Sequence, residues 1–159
     1  MRATPGLTLL LALATAGCGP QVDLKTALQV ENVSTGWYDL GVVNGQNKLV
    51  PSVTFSFKNV SDQTLTTLQG NVIFRRAGEN EEWGAAFLRV AGSEGLAPGG
   101  SAGPFSARSQ LGYTGSDTRQ QMLANRQFVD ARAQIFAKYG STQWTLIAEH
   151  PIERKLLAK

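Results

Sequence analysis

Cys18 and His150 are the only residues of their kinds in this 159-residue chain. They narrow the chemistry sharply. A Ser-His-Asp or Cys-His relay would have to pass through His150. That residue sits beside Pro151 at the end of an alternating segment, where a plain surface histidine is the default reading. No G-x-S-x-G nucleophile elbow is present. One histidine and one cysteine fall short of the usual Cys/His zinc sets. Glu79, Glu81 and Glu82 are close enough in sequence to gather a cation, but they read more simply as a solvated hairpin loop. Gly92 to Gly103 is glycine-rich, as a phosphate cradle would be. It lacks the G-x-x-x-x-G-K-S/T spacing, and no helix follows it to donate amides. The expectation is a protein that is not an enzyme, with no cofactor and no metal.

Cys18 has a different context. Arg2 supplies a positive start, Leu7 to Ala16 an apolar stretch, and Ala16-Gly17 small residues before a cut. The apolar stretch is about ten residues, whereas a helix needs about 20 to span a bilayer. Ala16-Gly17-Cys18 resembles the lipobox of bacterial lipoproteins. The resemblance implies that residues 1–17 are a signal peptide and that Cys18 becomes the mature N-terminus. It implies a diacylglyceryl group on Cys18, usually with a further acyl chain on its amine. At about 0.8 kcal/mol per buried methylene, two chains anchor stably. Residues 18–27 then read as lipidated cysteine and tether, and 28–159 as one domain. Gly19 stands where an aspartate would favour inner-membrane retention. By that resemblance the protein is placed on the outer membrane, facing the periplasm, in a Gram-negative cell.

Fifteen basic residues face twelve acidic ones, a formal net charge of +3. Loss of the leader removes Arg2 alone. The basic residues are scattered (Arg75, Arg89, Arg108, Arg126), so no concentrated face for nucleic acid exists. The tail Glu153-Arg154-Lys155 with Lys159 reads as a solvated end.

The mature chain alternates with period two. Val53, Phe55 and Phe57 share one face of a strand, and Thr54, Ser56 and Lys58 the other. Asn59-Val60-Ser61-Asp62 supplies turn formers. Leu68, Val72 and Phe74 point inward in the next run. Glu82 to Val90 predicts a strand with Trp83, Ala85 and Phe87 on one side. Phe128 to Tyr139 puts Val129, Ala131, Ala133, Ile135 and Ala137 together. After Gly140-Ser141, Gln143 to Ala148 returns with Trp144 and Leu146 inward. Leu28 to Val33 and Ser101 to Ala107 are weaker candidates. Asp117, with Gln120 three positions on, predicts a helix over 118–127. Together these predict an all-β, immunoglobulin-like antiparallel β-sandwich of about seven strands with one short bridging helix.

Val53-x-Phe55-x-Phe57-x-Asn59-x-Ser61, then Leu65, Leu68, Gly70, Val72 and Phe74, resembles the strand–turn–strand core of small immunoglobulin-like domains in bacterial envelope lipoproteins. The FxLYD type is among them. Leu96-Ala97-Pro98-Gly99, with Ser101 and Phe105, is similar to the turn that follows there. The similarity spans about residues 51–106. Arg75 and Arg76 stand where that family has an acidic residue. Such domains are described mostly as adhesion or scaffolding modules, so the resemblance implies little chemistry.

Aromatic residues in loops are the remaining candidates for contact. Trp37 and Tyr38 are read as lying in a loop, as is Tyr113. They are the candidates for a binding surface, against the simpler reading that each closes an edge of the sandwich. The expected function is a membrane-anchored, non-enzymatic lipoprotein that binds or scaffolds another envelope protein. The alternative is a small-ligand or lipid-binding envelope protein with an apolar pocket between its sheets.

Overall fold

The computed structural model describes residues 21–158. The leader and Cys18 lie outside them. Alternation and turn chemistry yield α1 (Leu24–Ala27), β1 (Leu28–Val43), β2 (Gln46–Asn59), β3 (Leu68–Arg76), β4 (Gly84–Ala91) and β5 (Ser101–Arg108). Then come β6 (Tyr113–Gly115), α2 (Arg119–Ala124), β7 (Ala131–Tyr139) and β8 (Thr145–Pro151). One sheet has the order β1-β2-β5, with β6 also paired to β2. The other has the order β4-β3-β7-β8. Every strand pair is antiparallel. The result is an all-β, immunoglobulin-like sandwich. It holds eight strands and two helices among the described residues, against about seven and one expected.

The longest element was the least visible in sequence. Asn44 and Gly45 both have positive φ, 53° and 77°. That is the type I′ geometry of a two-residue hairpin. It joins β1, 16 residues long, to β2 in a ribbon about 50 Å from end to end. Strand β1 therefore runs far past Val33. Register shifts at Glu31/Ser34 and Asp39/Val42 break its period, as bulges do.

Between the sheets, Val53, Phe55, Phe57, Leu68, Val72, Phe74 and Ile135 are all fully buried. Small and large residues interlock there. Gly70 sits opposite Ala137, and a Cβ on Gly70 would meet the Phe57 ring at 3.3 Å. Each fully buried side chain of this size contributes about 1.5–3 kcal/mol.

Two strands expose what they were expected to bury. Phe87 is 63 % exposed. It pairs with Asn71, on the outer face, while Ala86, Leu88 and Val90 pack on the core. Trp83 precedes the strand and does pack inward, so the period resets after it. In β8 a register shift opposite Ile135/Phe136 sends Ile147 inward. Trp144 and Leu146 are left 39 % and 38 % exposed.

Both helices differ from expectation. α2 is six residues long, and Thr118 rather than Asp117 caps it, with Gln121 completing the capping box. α1 was expected to be tether. Its Leu24 and Ala27 are buried, so the domain begins before residue 28 and the free tether shrinks. The C-terminal tail is not a solvated end. Trp37 N–H donates to the Lys155 carbonyl (2.8 Å), and Leu157 N–H donates to the Trp37 carbonyl (3.0 Å). Arg154 donates to Asp130 and to the carbonyls of Leu123, Asn125 and Phe128. Gly36 has no side chain because Leu157 occupies that space.

Asn59 closes the other end. It is fully buried. Its Nδ2 donates to the carbonyls of Gln63 (2.7 Å) and Leu96 (2.8 Å). Its Oδ1 accepts from the Ser61 amide and hydroxyl. All four capacities of the amide are used, and they tie the β2–β3 loop to the β4–β5 loop. Asn59→Ala removes the side-chain tie between the two loops and all four of its hydrogen bonds. The expected loss is about 1–3 kcal/mol, read as a lower urea midpoint with an unchanged m-value. An unchanged midpoint would show that the loops hold without it.

Candidate functional site

The chain enters at one end of the sandwich and gathers its aromatic residues at the other. Strand β1 carries Trp37 inward there. Phe128, Tyr113 and Trp83 surround its ring, with centroids at 4.5, 5.6 and 6.2 Å. Trp37 is fully buried, so it lies in a strand and not a loop, and it offers no binding surface. Its Nε1 is buried without a hydrogen-bond partner. The next residue, Tyr38, points to the opposite face. The Arg108 guanidinium lies 3.4 Å from its ring centroid, a cation–π stack that covers much of that ring.

Tyr113 is half-buried in β6. Its hydroxyl donates to the Val129 carbonyl (3.0 Å), which pins the β6–β7 corner. Burial pushes its phenol pKa up, opposed by the nearby positive charge of Arg76. Tyr113 also borders a surface cavity of about 230 Å³ with Asp117, Met122, Gln127 and Phe128. Ligand pockets for small molecules usually occupy about 300–1,000 Å³, so this one is small. The space between the sheets is filled by the phenylalanines of the core.

The three residues singled out in sequence differ in environment, although the Trp37 and Tyr113 rings touch. Trp37 is core, Tyr38 is stacked under an arginine, and Tyr113 is a corner brace with one side at a cavity. That matches the edge-closing reading better than a shared contact surface.

His150 is half-buried on β8, and its Nε2 is shielded without a hydrogen-bond partner. No described hydrogen bond joins it to a nucleophile or carboxylate. Glu79 pairs with Arg76 at 2.8 Å, and Glu81 and Glu82 are exposed, as a solvated loop requires. Among the described residues, no group of three or more His, Cys, Asp or Glu could hold a metal ion. The glycine-rich segment is less free than expected. Leu65 and Leu96 exchange backbone hydrogen bonds at 3.0 and 2.9 Å. Within it, the Gly92 and Glu94 backbone amides hold the Glu94 carboxyl below its ordinary pKa.

Sequence reasoning missed the exposed apolar residues. Leu40 (45 %) and Val42 (66 %) flank the hairpin tip, and Leu111 (53 %) lies at the same end. The Asn44-Gly45 pair was the signal that would have found the hairpin. No described helix is long and apolar enough to cross a membrane.

No protein-family model matches the chain, and no curated protein does. The X-ray structure of a Northeast Structural Genomics Consortium target is similar to it. That likeness covers 82 % of this chain and 89 % of the other, at 16 % identity and a TM-score of 0.44. It is too loose to transfer anything to this chain.

Proposed function

We propose that this chain is a lipid-anchored, non-enzymatic lipoprotein of the bacterial envelope whose sandwich binds another envelope protein. One observation carries the reading: a lone cysteine follows a basic residue, a short apolar stretch and two small residues. With Gly19 next to it, the outer membrane, facing the periplasm, is the address in a Gram-negative cell.

The shape of the domain supports a role at a distance from the anchor. The chain enters beside α1, and the exposed Leu40, Val42 and Leu111 lie at the opposite end. Hairpin tips and loops are where rigid sandwiches carry contacts. A core packed by Phe55, Phe57 and Phe74 gives no support to the small-ligand alternative.

The test is in two parts. The native protein, extracted from its own membranes, should have an intact mass that begins at Cys18 with acyl chains attached. A photocrosslinking amino acid placed at Val42 should capture one envelope protein that the same probe at Thr54 does not. A native chain that starts at Met1, unacylated, overturns the anchor. Equal labelling from both positions overturns the binding surface.

A further inference from the structure

The outer face of the β4-β3-β7-β8 sheet carries an apolar stripe. Phe87, Asn71, Phe136 and Leu146 stand in register across the four strands. Trp144 folds over this face, its ring 6.3 Å from Phe87 and edge-on to it. Lys138 Nζ lies 5.1 Å from the Trp144 ring centroid. The next register row holds Arg89, Gln69 and Lys138. The sheet thus exposes aromatic surface beside two cations, the pairing found at membrane–water interfaces. Three acids lie near this face: Glu149, on the outward row beyond Leu146, is held by Gln134 and Arg132, Glu94 interacts with Arg89, and Asp23 caps α1.

The start of the described chain lies at the same end of the sandwich as Trp144, held by a tyrosine that packs on the core side of β7. Val22 N–H donates to the Tyr139 hydroxyl (3.0 Å), so the chain is fastened beside the β7–β8 turn that carries Trp144. Only Gly19 and Pro20 separate Cys18 from Gln21. The four steps from Cys18 to the fastened Val22 reach about 14 Å at full extension. An acylated Cys18 therefore keeps the β7–β8 turn within about that distance of the headgroups.

We infer that the anchored domain lies against the bilayer through this face, with Trp144 and Phe87 at headgroup depth and Lys138 and Arg89 beside lipid phosphates. The inference rests on the lipid-anchor reading. It fixes the pose of the domain. The β7–β8 end is proximal, and the hairpin tip with Val42 is distal and free.

The test uses acylated protein in vesicles of phosphatidylethanolamine and phosphatidylglycerol, with acyl-chain-brominated lipid as the quencher of tryptophan. Trp37 is fully buried and Trp83 sits at the distal end, so Trp144 is the tryptophan within reach. Wild type should be quenched, Trp83→Phe should be quenched equally, and Trp144→Phe should lose the quenching. An acylated wild type that is not quenched, or quenching that survives Trp144→Phe, overturns the pose alone. Protein whose intact mass shows no acyl chains overturns the anchor reading, and the pose with it.

Discussion

Replacing Cys18 with serine is expected to leave residues 1–17 attached and the protein without lipid. The thioether to a diacylglyceryl group needs a sulfur nucleophile. A thiol with a pKa near 8.5 supplies some thiolate at neutral pH, and a serine hydroxyl supplies none. Each buried methylene contributes about 0.8 kcal/mol, so losing whole acyl chains removes the anchor outright rather than weakening it. None of the described helices can substitute for it. Intact mass and gel mobility check the result. Cys18→Ser protein that runs at mature size in the membrane fraction would falsify the anchored reading.

The second large effect concerns stability. Trp37→Ala should cost about 3–5 kcal/mol, because it empties the centre of the Trp83–Tyr113–Phe128 cluster. Trp37→Phe should cost far less. The native indole N–H is buried without a partner, a defect of about 1–3 kcal/mol, and phenylalanine removes it while keeping most of the ring contact. Denaturant midpoints of the two variants separate the effects. A Trp37→Phe variant as damaged as Trp37→Ala would mean that the indole N–H has a partner after all.

Much of the fold was legible where a strand has one buried face and no bulge. Strands β3 and β7, and the second half of β2, follow strict alternation, and each inward residue predicted for β3 is buried. Reading failed where the period breaks. In β1, two bulges, with Gly36 and Gly41 among polar residues, hid a strand of 16 residues. In β8, one extra residue turned Leu146 outward. Trp37 drops out of the expected binding surface for a related reason. A loop assignment for Trp37 made it look exposed, whereas a strand assignment puts alternate residues on opposite sides. Trp37 then belongs to the core and Tyr38 to the surface. The cavity beside Tyr113 could not be seen in sequence although its walls all come from the one stretch 113–128, because its shape depends on how β6, α2 and the turn after it fold back on each other.

The strap formed by Lys155 to Leu157 along β1 has a consequence for biogenesis. Its partner, Trp37, lies near the start of the domain, far earlier in the chain than the strap. The edge of β1 at Trp37 therefore gains its partner only after the strands between them have been made. A product cut short before the strap would emerge with the first strand's edge unpaired, an open template for self-association and a ready substrate for quality-control proteases.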